Sequence, residues 1–214
     1  MTESMTMNRV IHAAVRRDLD RLSTALGAMP DGDRARAQAL DRAYGNLREE
    51  LTHHHEGEDT HIWPMLATAG VDRELLTAME NEHHTMAESL AETATAMSAV
   101  AASGSAVDAA AARASVLRTR EVVEQHLRHE ETELEPRLVP LHDSPEWKAV
   151  EKKLRSNPPA VTGRFFAWLT DGMSDDHRAF LKATVPTPVV TVFSRVFGRR
   201  YHREVAPVWK AQAG

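Results

Sequence analysis

Apolar residues recur every three or four positions along most of this chain, and strand-like alternation is almost absent before residue 185. In the first stretch Ile11, Val15, Leu19, Leu22 and Leu26 fall on one stripe, the spacing of a helix with one buried face. The stripe ends at Gly27-Ala28-Met29-Pro30-Asp31-Gly32-Asp33, a run of helix breakers. A second, longer helix is predicted over about 34–66, with Leu40, Leu47, Leu51, Ile62 and Met65 inward. Residues 68–72 turn the chain. A third helix carries Leu75, Leu76, Met79, Met86, Leu90 and Met97, and a fourth, over about 114–138, carries Val116, Val123, Leu127 and Leu134. The Ala/Ser/Gly-rich stretch 99–112 reads as a mobile connection with ragged helix ends.

Four rods of this length with short connections predict an all-α fold, an antiparallel up-down four-helix bundle over residues 1–142. After His142 the pattern changes. A helix is expected from Ser144 to about Arg155, and then aromatic residues crowd together: Phe165, Phe166, Trp168, Phe180, Phe193, Phe197 and Trp209. That is too much apolar ring surface to leave in water. Residues 143–214 are therefore expected to form a C-terminal helical appendage, docked on the bundle or on a partner subunit of a homodimer. The run 189–197 has strand-like composition, but a single strand without a partner is disfavoured.

Composition narrows the chemistry. At 214 residues, with 42% hydrophobic and 27% charged residues, the chain is of ordinary globular type. A net charge of −5 with dispersed Lys and Arg gives no footprint for nucleic acid or an anionic membrane. Cysteine is absent, which excludes disulfides and thiolate ligands; any metal must be held by nitrogen and oxygen. The first eight residues lack the apolar core of a secretory signal, so a cytoplasmic location is expected.

Within this frame one pattern occurs twice. His54-x3-Glu58 precedes Pro64, His126-x3-Glu130 precedes Pro136 at an offset of 72, and each pair stands 42 residues after another histidine, His12 or His84. A His and a carboxylate at i and i+4 lie one above the other on a helix, with Cβ atoms about 5–6 Å apart, so both can reach one ion. Two such pairs, with one His from each of two further helices, are how a bundle builds a two-metal centre. Leaving that many polar groups inward without a partner would cost roughly 2–7 kcal/mol each.

On the third helix the repeat points to His84, whereas the apolar face points to His83, seven and four residues after Leu76 and Met79. An inward ligand cannot sit on the outer face, so His83 is preferred. His61, on the face of His54 and Glu58, is either a hydrogen-bonding neighbour or an additional ligand that makes the two metal positions unequal. His53, His55 and His129 are expected to flank the site or face solvent, and the nine methionines to fill the core.

The segments "VIHAAVRRDLDRL", "HHHEGEDTHIWP", "MENEHHTM" and "EQHLRHEETELEP" together resemble the hemerythrin-like HHE cation-binding family over residues 8–140. The resemblance implies a non-haem centre of two irons held by His12, His54, Glu58, His83, His126 and Glu130, with the glutamates bridging or capping. Oxygen-carrying hemerythrins have a further His one turn along the third helix and an Asp five residues after the fourth-helix His. Here those positions are Ala87 and Glu131, which argues against reversible oxygen carriage. The shorter set resembles relatives associated with peroxide, nitric oxide or iron responses. The expected ligand is thus a small diatomic or a peroxide, with a catalase-like or reducing activity as one outcome and a sensor or carrier as another. Imidazoles with hard carboxylates suit Fe, with Mn as the alternative.

Overall fold

A computed structural model describes residues 5–210, and all regular structure among them is helical. The first rod, α1 (Met7–Gly27), is capped by the Thr6 hydroxyl, which accepts from the backbone N–H of Arg9. The second begins at Asp33, whose side chain accepts from Arg36 N–H. It runs through α2 (Arg34–Gly57), a π-helical turn at Glu58–Ile62 and α3 (Trp63–Thr68) without a break. The third rod is α4 (Arg73–Ser103), and the fourth comprises α5 (Ala106–His129), a second π-helical turn at Glu130–Leu134 and α6 (Glu135–Leu138). Side-chain caps of this kind each contribute about 1 kcal/mol.

The connection expected over 99–112 is far shorter. Helix α4 continues to Ser103 and α5 starts at Ala106, leaving only Gly104 and Ser105 between them. Alanine makes that stretch strongly helical. Gly104 ends α4 in the left-handed region at φ +71°, and a Cβ there would come within 2.8 Å of the Arg34 backbone nitrogen. Glycine alone fits both demands.

The rods pack side by side and run in opposite senses. Arg113 reaches the Ser23 carbonyl while Arg16 pairs with Glu124, so α1 and α5 are antiparallel. Tyr44 donates to the Leu90 carbonyl on α4, and His83 meets Asp59 two turns away in the other direction. Between α4 and α5, Glu82 meets His126 and Thr93 meets Ser115.

Beyond a short 3-10 turn at Val139–Leu141 come α7 (Pro145–Leu154), α8 (Pro159–Thr170), α9 (Asp175–Thr184), α10 (Thr187–Phe197), α11 (Arg199–Glu204) and α12 (Ala206–Lys210). The run 189–197 is thus a helix, not a strand. Its valines are β-branched, but Val190, Phe193 and Phe197 fall at helical spacing. Tertiary packing overrides β-propensity there: Val190 and Phe193 pack against the main core, and Phe197 lies at the crossing with Gly163 of α8.

This C-terminal segment lies against α1 and α2. Trp168, Leu169, Tyr201, Val208 and Trp209 join the same buried cluster as Leu19, Leu22, Leu40 and Leu47. Arg36 donates to the Val208 carbonyl at 2.7 Å, and Arg164 pairs with Glu50 at 2.7 Å. A second apolar cluster, around Ile62, Trp63, Leu66, Met79, Leu134 and Val150, closes the far end of the rods. Among the described residues no helix is long and apolar enough to cross a membrane.

Candidate metal centre

Between the two apolar clusters the interior turns polar. His12 from α1, His55 from α2, Glu58, His83 from α4, His126 from α5 and Glu130 are all buried, and His54 has a side chain only 12% exposed. The arrangement follows from the helical register: each residue sits where an apolar stripe would otherwise continue, as with His83 between Met79 and Met86.

The donor atoms converge. His12 Nε2 lies 3.2 Å from Glu130 Oε2 and 3.4 Å from His54 Nε2. His54 Nε2 lies 3.2 Å from Glu58 Oε1, and His83 Nε2 is 3.2 Å from His126 Nε2 and 3.5 Å from Glu58 Oε2. Asn8 donates to the other oxygen of Glu130 at 3.0 Å. Two compact groups result. One atom each of His55, Glu58, His83 and His126 lie within 4.8 Å of one another, and so do atoms of His12, His54 and Glu130.

Behind the imidazoles stand carboxylates. His12 Nδ1 meets Glu131 at 2.8 Å, His83 Nδ1 meets Asp59 at 2.8 Å, and His126 Nδ1 meets Glu82 at 2.9 Å. A carboxylate on Nδ1 fixes the proton there and turns Nε2 inward as a lone-pair donor, the usual support of a metal-bound histidine. Glu131 is itself clamped by Arg16.

The charges at the centre are unbalanced. Burial, then the adjacent Glu130 carboxylate, pushes Glu58 well above the usual carboxylate range. Burial pushes Glu130 the same way, but its hydrogen bond to His12 and that ring's charge outweigh it and hold Glu130 low. Burial, then the charge of His12, takes His54 down to about 3. For His12 burial is outweighed by Glu130 and Glu131, and its pKa rises. Two carboxylates facing one another cannot both ionise without a cation or proton between them. Glu58 Oε2 and His55 Nε2 are also buried without a hydrogen-bond partner. These two orphaned acceptors, in the same group as His83 and His126 and all nitrogen and oxygen, fit a hard or borderline cation.

Of the residues singled out from sequence, His12, His54, Glu58, His83, His126 and Glu130 come together in these two groups, while His84 points to solvent with a side chain 79% exposed. His61 belongs to neither group and is half-buried. Counting α-helical turns puts it on the face of His54, but the π turn holds more residues per turn and rotates it away. His55 is the opposite case. Its sequence position predicts a flanking or solvent-facing side chain, yet it is buried and its ring stacks on His83, centroids 4.1 Å apart. A buried helical stripe is about 100° wide or more, enough for two consecutive residues to face inward. The second adjacent histidine was the available signal. Asp59 and Glu82 were also missed; each needed the partner helix to be known.

An all-helical protein with a buried, convergent set of imidazoles and carboxylates has the donor set of a cation-binding site. The family model of the hemerythrin HHE cation-binding domain matches residues 8–138, and the chain belongs to that family. Comparison with curated proteins and with solved structures found no match.

Proposed function

We propose that the protein holds two iron ions between its four rods and uses them to bind or react with a small oxidant: peroxide, nitric oxide or dioxygen. The observation that carries this reading is the pair of buried acceptors without partners, Glu58 Oε2 and His55 Nε2, among two adjoining groups of donor atoms supplied by all four rods. His12, His54, His83 and His126 would hold the ions together with the carboxylates of Glu58 and Glu130; manganese is the alternative metal. Iron in that setting would supply two-electron exchange with a small oxidant. Glu131, Asp59 and Glu82 would hold the ring protons on Nδ1 and fix the orientation of the rings, and the apolar clusters on either side keep bulk water out. His54 is the most accessible of the histidine donors, so a small ligand would enter from its side. A role in oxidative or nitrosative stress, or in iron handling, follows from that chemistry. On this reading residues 1–142 are an up-down four-helix bundle and residues 143–214 an appendage to it, in a cytoplasmic protein that needs neither nucleic acid nor membrane.

A second reading, a sensor or carrier without turnover, draws on a different observation. The segment of α2 that bears the donors touches the C-terminal helices repeatedly: Glu50 pairs with Arg164, His53 lies 3.2 Å from Asn157, and Leu154 lies over Gly57. A change in metal or ligand state at His54 thus has a direct mechanical route outward. Metal analysis with an absorption spectrum on wild type and His54→Ala separates the cases. Two irons with rapid peroxide consumption support the first reading, and stable adducts without consumption support the second. Unchanged iron in His54→Ala would sink the ligand assignment.

A further inference from the structure

We propose that His55 is a metal ligand, supplied by α2 beside His54, and that it makes the two halves of the centre unequal. The proposal rests on the two-metal reading above. On α4 the residue one turn beyond His83 is Ala87, so α4 gives that half a single imidazole. Consecutive residues on a helix diverge by about 100°, and His54 and His55 accordingly serve opposite halves.

The geometry around His55 is specific. Its ring is nearly parallel to His83 (17°, centroids 4.1 Å apart) and edge-on to His126 (5.4 Å). Its Nε2 is buried without a hydrogen-bond partner, and its donor atom falls within 4.8 Å of those of Glu58, His83 and His126. An imidazole kept only to fill space would leave that nitrogen desolvated and unpaired, which is costly. One half therefore offers three imidazoles and a carboxylate. The other, His12, His54 and Glu130, offers two imidazoles and a carboxylate, and keeps more positions for water or an incoming ligand. The first half binds its ion tightly, and the second exchanges.

Anaerobic titration of the metal-free protein with Fe(II), with bound ions counted after dialysis, tests this. Wild type is expected to bind two ions of unequal affinity. His55→Phe keeps a ring to stack on His83 but has no donor. It should lose the tighter ion or bind it at least about tenfold more weakly, since a ligand contributes no less than the groups that orient it. His55→Gln, closer in polarity, guards against a variant that fails to fold and should show the same loss. His53→Ala, an exposed neighbour, should bind like wild type. Two ions of unchanged affinity in His55→Phe or His55→Gln overturn the assignment of His55. A wild-type protein that takes up no ion overturns the two-metal reading instead.

Discussion

Trp168 donates its indole N–H to the carboxylate of Asp18 across 2.8 Å, and both residues are fully buried although 150 positions apart. Arg17 holds the other oxygen of Asp18 at 2.8 Å, with Arg21 at 3.4 Å. Arg17 also donates to the Trp168 carbonyl. The bond ties α8 to α1 with directional, charge-assisted contact rather than apolar area alone. Trp168→Phe keeps most of the ring volume and removes the donor, so it should lower unfolding stability by roughly 1–3 kcal/mol. Denaturant midpoints would read the loss. The metal uptake of the folded variant should not change, because Asp18 lies outside both donor groups. An unaltered midpoint would mean that the indole N–H holds nothing in place.

The carboxylates behind the imidazoles make a graded prediction. Glu131→Gln, Glu82→Gln and Asp59→Asn each replace a charge on Nδ1 with a neutral amide. Each should weaken metal binding by about 10–100-fold while leaving the saturating number of ions at its wild-type value. Asp59 has a side chain 42% exposed, against 14% for Glu131, so water substitutes for it more readily and its effect should be the smallest. Chelator competition ranks the three variants. Equal losses at Asp59 and Glu131 would show that burial does not govern this support.

Periodicity alone was enough for the long rods and for most of the inward histidines, because a ligand in a bundle obeys the same spacing as a core leucine. His83 could be preferred to His84 from Met79 and Met86 for that reason. What periodicity could not reach were departures from α-helical geometry. Both π turns begin at the glutamates, Glu58 and Glu130, and end just before Pro64 and Pro136. Proline lacks an N–H and crowds the carbonyl four residues back, so a widened turn at that point is a readable consequence that counting in units of 3.6 ignores. The position of His61 outside both donor groups follows from it. Pairings such as Asp18 with Trp168, or His83 with Asp59, depend on which helices become neighbours, and no single segment carries that information.

Glu50 gives the protein a pH dependence with a definite sign. Burial lifts its carboxyl to about 7, with Arg164 opposing the rise and Glu49 adding to it. Because the folded-state value lies above the ordinary carboxylate value of 4.5, the folded protein holds this proton more tightly than the unfolded chain. The stability it contributes is fully present below pH 4.5 and lost as pH rises through about 7, up to about 3 kcal/mol in the limit. Glu50→Gln cannot titrate, so the wild type should lose stability relative to it across that window. Parallel curves for the two proteins from pH 4.5 to 7.5 would refute the assignment. Arg164→Met should steepen the wild-type curve, since it removes the cation that opposes the rise.

Two glycines inside helices should respond to alanine with opposite signs. Gly45 lies in α2 with nothing within 4 Å of where a Cβ would stand. Gly45→Ala should therefore stabilise by about 0.5–1 kcal/mol through reduced backbone freedom in the unfolded chain. Gly163 lies in α8 where α10 crosses it, and an added Cβ would come within 2.4 Å of the Phe197 Cβ and 2.6 Å of the Phe193 carbonyl oxygen. Neither atom is the far end of a flexible side chain, so the two helices must separate, at about 1–3 kcal/mol. That exceeds the roughly 1 kcal/mol of helix propensity that alanine gains over glycine, and Gly163→Ala should be net destabilising. Thermal melts of both variants check the pair. A stabilised Gly163→Ala would show that α8 and α10 are not in close contact at this crossing, and the path by which the C-terminal helices reach Glu50 would have to be redrawn.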